Sequence, residues 1–157
     1  MPVPNIIERD ISIGYSGISV HSPEELQKMQ VGYSIDTDGN SLVGIEEGDW
    51  LDGWYVIGRD QSCGDPIFID LSDEGYPVYT AMHGLGYWAD NLISDTLEGF
   101  YAALDELEAL SINRETPVAL EKNPFSQKDI EQFINKVKNV IGSAELDYWL
   151  MYVDTDG

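Results

Sequence analysis

Positive charge is what this chain has least of: eight lysines and arginines stand against twenty-nine aspartates and glutamates in 157 residues, a net charge of -21. Such a surface repels phosphate backbones and anionic lipid, which argues against nucleic-acid or membrane binding and favours cations or basic protein partners. Cysteine is almost absent. Cys63 stands alone, so no intrachain disulfide framework exists and a reducing compartment is expected. With only His21, His83 and Cys63 and no paired spacing among them, no zinc or other transition-metal site is expected. No apolar run approaches the roughly 20 residues of a membrane span. The first ten residues, MPVPNIIERD, lack the basic-then-apolar layout of a signal peptide, so a cytoplasmic protein is expected.

What is present is enough apolar material for a fold. The hydrophobic fraction is 43 %, which argues against disorder despite the charge, and the length suits one domain. The stretch from Trp54 to Met82 organises the rest. Trp54-Tyr55-Val56-Ile57 is aromatic and β-branched and stops at Gly58. Ile67, Ile69 and Leu71 alternate with Phe68 and Asp70, and Val78, Thr80 and Met82 alternate with Tyr79 and Ala81. Alternation puts each set on one face of a strand. The intervening loops, Ser62 to Pro66 and Ser72 to Gly75, are short enough for hairpins. These are the central strands of an antiparallel sheet.

Upstream, Ile11-Ser12-Ile13 and Ile18-Ser19-Val20 read as short strands or as extended arms at the sheet edge. Ser22, Pro23, Glu24 and Glu25 open a helix predicted over residues 23–30 and limited by Gly32. Residues 33–51 form a long acidic, glycine-rich loop with a possible strand at Leu42 to Ile45, and residues 83–88 form another loop. Leu97, Phe100, Tyr101, Leu104, Leu107 and Leu110 keep helical spacing, which predicts a helix over 96–110 with Asp95 and Glu98 as its capping box. Ser126 caps with Asp129, and Ile130, Phe133, Ile134, Val137, Val140 and Ile141 make one stripe, predicting a helix over 127–141 ended by Gly142. Residues 111–125 read as a connector, Leu146 to Tyr152 as a short helix laying Trp149 on the body, and residues 154–157 as a frayed end. The expected fold is α+β: one domain spanning 1–157, with an antiparallel (mixed) sheet of about five or six strands packed against three or four helices. Ile67, Ile69, Val78, Phe100, Leu104, Phe133 and Ile134 should be buried.

Several constellations bear on chemistry. Asp36, Asp38 and Asn40 stand at positions 1, 3 and 5 of a calcium loop with Glu47 at 12, but the glycine needed at position 6 is Ser41. The loop reads as acidic rather than metal-binding. Cys63 and His83 would suit a nucleophile and its base, yet nothing marks a helix N-terminus or an oxyanion pair. A small buried thiol and a hydrogen-bonded packing histidine are expected instead. Gly84-Leu85-Gly86 lacks the third glycine of a dinucleotide loop, and a catalytic carboxylate pair means little among twenty-nine acids. No catalytic residue, metal or cofactor is assigned.

The run Ile57-Gly58-Arg59-Asp60, then Gly64-Asp65-Pro66-Ile67-Phe68-Ile69-Asp70, resembles the SUKH superfamily, as do Pro77-Val78-Tyr79, His83, Trp88 and residues 94–100 that follow in order. This superfamily groups the yeast cell-wall-assembly regulators with many bacterial immunity proteins, and the resemblance spans about residues 44–110. It implies a SUKH-like fold and a non-enzymatic, protein-binding role, most concretely a bacterial immunity protein that neutralises a toxin domain, often a basic nuclease, by direct binding. The alternative it leaves is a regulatory or scaffold module. Residues 36–74 carry eleven carboxylates and one base, Arg59. A partner-binding face is therefore expected there, with Asp49, Asp52, Asp60 and Asp65 supplying charge, Trp50, Trp54, Tyr76 and Tyr79 supplying anchors, and His83 beside them.

Overall fold

The computed structural model describes residues 1–154. It contains eight strands and four α-helices: β1 (Arg9–Ile13), β2 (Ser16–Val20), β3 (Val43–Gly44), β4 (Trp50–Leu51), β5 (Trp54–Asp60), β6 (Pro66–Asp70), β7 (Val78–Thr80), β8 (Asn91–Ser94), α1 (Leu97–Ser111), α2 (Pro117–Lys122), α3 (Gln127–Val140) and α4 (Asp147–Leu150). The main sheet has six strands in the order β1-β2-β5-β6-β7-β8, every neighbouring pair antiparallel. The expected α+β domain is what forms, and the edge pair 11–13 and 18–20 is a true β1–β2 hairpin. β3 and β4 make a separate two-residue parallel ladder within the 33–51 loop. No helix among the described residues is long and apolar enough to cross a membrane.

Strand alternation sends side chains to two cores. Ile11, Ile13, Ile18, Val20, Ile57, Ile67, Ile69, Val78 and Ile93 join Phe100, Leu104, Leu107, Phe133, Val137 and Trp149 in the larger one, beneath α1, α3 and α4. On the opposite face Trp50, Trp54, Val56, Phe68 and Ala81 form a smaller cluster, flanked by Tyr33, Val43, Tyr79 and Trp88. Each large apolar side chain buried in either core contributes about 1.5–3 kcal/mol. Of the seven residues expected in the core, Ile134 alone is only half-buried; the α3 stripe buries Phe133 and Val137 fully and leaves Ile130 and Ile134 at its margin.

Local chemistry explains where the elements end. Ser126 Oγ accepts the N–H of Asp129 while Asp129 Oδ2 accepts the N–H of Ser126, the expected reciprocal cap, and Gly142 takes a φ of 72° just past α3. For α1 the cap is Thr96, whose Oγ1 accepts from Gly99 at 2.9 Å. Asp95, expected in that role, instead accepts the N–H and hydroxyl of Ser143 at 2.7 and 2.8 Å and ties the start of α1 to the end of α3. A short helix, α2, with Pro117 at its start and Thr116 as its cap, interrupts the expected connector. α4 forms as expected, and Trp149 is fully buried with its Nε1–H donating to the Ile93 carbonyl at 2.9 Å.

Three expectations fail for identifiable reasons. Residues 23–30 do not form an α-helix; they run as turns into a three-residue 3-10 helix, Lys28–Gln30. The cause lies in Gln30, whose buried side-chain amide donates to the carbonyls of Leu26 and Val56 and accepts the Val56 N–H at 2.9 Å. It satisfies β5 where β2 has already turned away, and holding it there fixes the turns before it. β5 does not stop at Gly58 but runs through it to Asp60, with a bulge between Val56 and Gly58. Here glycine serves close approach, because a Cβ at position 58 would meet the Ser19 carbonyl oxygen of β2. β7 ends at Thr80, so Met82 is exposed rather than aligned with Val78 and Thr80. β8 lies within a stretch that periodicity does not mark. Of the end expected to fray, residues 155–157 lie outside those described.

Candidate functional site

The β5–β6 turn is built from two aspartates with different tasks. Asp60 closes the turn on itself: its Oδ1 accepts the N–H and hydroxyl of Ser62 at 2.7 and 2.5 Å, and Gly64, at φ 77°, donates its N–H to the Asp60 carbonyl at 2.9 Å. Asp65 reaches across to the segment after β7. Its Oδ1 accepts the N–H of His83 at 3.0 Å and lies 2.6 Å from His83 Nδ1, while its Oδ2 accepts the Cys63 thiol at 3.2 Å. Partial burial pushes the Asp65 carboxyl up, but the bonds from the His83 amide, the thiol and the imidazole together outweigh it and leave it below the usual value.

This geometry bears on the Cys63–His83 pairing. Cys63 is exposed, not buried as expected, because the turn carries it to the rim. Its thiol is pushed up, chiefly by loss of water, with the Asp60 and Asp65 carboxylates acting in the same direction. The carboxylate, rather than the thiol, is the partner of the imidazole. A group held as a thiol and donating to a carboxylate is a poor nucleophile.

The segment joining β7 to β8 is fastened at both ends. His83 is held by Asp65 at one end, and at the other Trp88 donates its N–H to the Gly48 carbonyl at 2.8 Å while its ring joins the Trp50 cluster. Between and beside these fixings the segment displays Met82 (59 % exposed), Leu85 (46 %) and Tyr87 (54 %). It thus spans two carboxylate-bearing turns, 46–49 and 60–65. Next to it Met151, just past the end of α4, is exposed (52 %) and lines a concavity of about 440 Å³ together with Met82, Tyr148, Asp60, Asp65 and Asp147.

The residues expected to form a partner face are not all together. Asp60, Asp65 and His83 meet at this end of the sheet. Trp50 and Trp54 are buried, packed edge-on at 5.3 Å and both against Phe68, with the Trp50 Nε1–H donating to the Trp54 carbonyl. They are core, not anchors. Tyr76 packs against the helix-side core and Tyr79 stacks on Phe68 at 5.7 Å in the other cluster, so the two tyrosines face opposite sides of the sheet. Asp49 accepts the Glu46 N–H at 3.1 Å and closes its own loop, and Asp52 stands exposed beyond β4. Sequence reasoning missed Met82, Leu85, Tyr87, Asp147, Tyr148 and Met151. The signal for Leu85 and Tyr87 was apolar side chains beside Gly84 and Gly86 in a segment that has no alternation to bury them, and no local signal marks Asp147, Tyr148 and Met151.

Asp36, first of the calcium-like positions, accepts the N–H groups of Asp38 and Asn40 at 2.9 and 2.8 Å, which lowers its carboxyl from the usual value, the Asn40 bond counting most. Among the described residues no three His, Cys, Asp or Glu side chains converge as metal ligands. Comparison with family models, curated proteins and solved structures yields no match.

Proposed function

We propose that this chain is a non-catalytic protein-binding domain of the SUKH kind, an immunity protein that neutralises a basic toxin domain by covering it. The observation that carries the reading is the twice-fastened 82–88 segment, which holds Met82, Leu85 and Tyr87 out to solvent between two acidic turns. Exposed apolar side chains on a fixed backbone give a partner buried area at low ordering cost, and the surrounding carboxylates steer a cationic surface into encounter. The overall charge of -21 extends that attraction over the whole molecule. Further support comes from the motif residues, since Gly58, Asp60, Gly64 and Asp65 are spent on close approach and turn hydrogen bonds.

The test is co-expression with the toxin encoded beside the gene. The wild-type chain relieves growth arrest and co-purifies with the toxin, and a Leu85→Glu, Tyr87→Glu variant that retains its circular dichroism loses both. Added salt slows association far more than it speeds dissociation. A neighbouring toxin that the wild-type chain neither binds nor neutralises would overturn the assignment.

A further inference from the structure

Asp60 is unusual among the acids of this chain. It is 2 % exposed, yet no lysine, arginine or histidine pairs with it among the described residues. Every side-chain contact it makes is as an acceptor: Ser62 N–H and hydroxyl on Oδ1, and the Tyr152 hydroxyl at 3.4 Å on Oδ2. Tyr152 in turn lies 2.7 Å from the Tyr148 hydroxyl. A buried carboxylate without a counter-charge is rare, because the loss of water has to be offset by a cation or by a full set of hydrogen bonds.

The same aspartate lines the concavity of about 440 Å³ described above, where Asp65 and Asp147 add two more carboxylates and Met82, Tyr148 and Met151 supply apolar and aromatic wall. The combination has the chemistry of a long basic side chain. An apolar stem three or four methylenes long packs on methionine and tyrosine, and a charged head reaches acids at the end. We infer that this concavity is a socket for an arginine or lysine side chain presented by the protein partner. The inference rests on the binding role proposed above and makes one point of it specific. Met82 belongs both to the socket and to the displayed 82–88 segment, so socket and apolar surface are one continuous face. A neutral side chain would fill the space and leave Asp60 as it is. A cation would supply the basic partner that Asp60 lacks among the described residues.

The probe is a blocked tripeptide, N-acetyl-Gly-Arg-Gly-amide, compared with its lysine form and with its neutral citrulline isostere. Methyl resonances of Met82 and Met151 are followed by NMR. The arginine and lysine peptides should shift them saturably, and citrulline should bind about tenfold more weakly or worse, as expected for loss of a charge-assisted bond. Asp147→Asn, at an exposed position on α4, should weaken the arginine peptide while leaving the fold unchanged. Asp60→Asn should do so more strongly, and if it unfolds, Met82→Lys, which places a tethered cation beside the acids, should abolish peptide binding instead. Methyls that ignore all three peptides, equal binding of citrulline, or binding of free spermidine without the arginine peptide would each overturn the socket. Toxin neutralisation that persists while the peptides fail removes the socket and leaves the immunity role. Peptide binding without neutralisation does the reverse.

Discussion

Ile67 and Ile69 of β6 point toward α1 and α3, whereas Phe68 between them points toward Trp50 and Trp54 beneath the loops, so one strand contributes to two cores covered in different ways. On the helix side the cover brings its own hydrogen bonds, and the sheet meets it with aliphatic side chains that alternate in sequence. On the loop side the cover is irregular chain, and its polar groups are satisfied one by one: Gln30 on Val56, Trp88 on Gly48, Trp50 on Trp54. Aromatic rings suit that side because a few of them span the area that a helix would otherwise supply. A core held by separate local bonds opens in parts, and one beneath packed helices opens with the whole domain.

The largest expected effect belongs to the helix side. Phe100, fully buried against Tyr101 and Trp149, should cost about 3–5 kcal/mol when cut to alanine. Chemical denaturation should show this as a lower midpoint with an unchanged slope, since the loss is global. Trp50→Ala should cost about 3 kcal/mol, the low end of the aromatic range, because loops relax into a cavity more readily than helices do. Amide exchange should quicken first over residues 33–51 and 83–88, with β5 and β6 protected. Should Trp50→Ala instead loosen α1 and α3 at the same exchange rate as the loops, the two cores form one cooperative unit and the distinction fails.

The same contrast explains what could be read from the sequence. Helix-side elements were legible because their signal is periodic: the α1 stripe, the Ser126–Asp129 cap and the alternation around Ile67 and Val78 all act locally. The loop side has no period. Trp50 and Trp54 sit beside Asp49 and Asp52 in sequence, and only the fold shows that the rings turn inward while Asp52 stays out. Residues 23–30 have the local marks of a helix, and one long-range demand, Gln30 on β5, overrides them. β8 offers only Leu92 and Ile93 as apolar residues and is defined by its ladder to β7. Of the candidate site, Asp60, Asp65 and His83 were legible as motif residues, but the meeting of the two aspartates with Asp147 and Met151 depends on how α4 folds back.

Between the two cores lies the bulge in β5, and Gly58→Ala probes it with a smaller effect. The added Cβ meets the Ser19 carbonyl, a backbone atom of β2 that cannot rotate away. Separation of β2 from β5 should cost about 1–3 kcal/mol, the usual penalty for overpacking. Thermal melting checks it. A variant as stable as the wild type would mean that the bulge absorbs the methyl and that glycine is dispensable there.

The smallest effect is the most specific to the loop side. Asp65 fastens the 82–88 segment, and its carboxyl lies below the ordinary value of 3.8 in the folded state. For a lowered acid the sign is fixed: its contribution is complete above the unfolded value and fades as pH falls through the folded one. Below about pH 4 the gap in stability between wild type and Asp65→Asn should therefore close. Asp129 provides the helix-side control, because its carboxyl is also lowered, first by the Ser126 backbone N–H, but it fastens α3 instead. Amide exchange read residue by residue separates the two. Acid, like Asp65→Asn, should quicken exchange at residues 83–88, whereas Asp129→Asn should act on the first turn of α3. A gap between wild type and Asp65→Asn that does not narrow in acid would mean that the His83 clamp is held by packing, and charge would then have no part in presenting Met82, Leu85 and Tyr87.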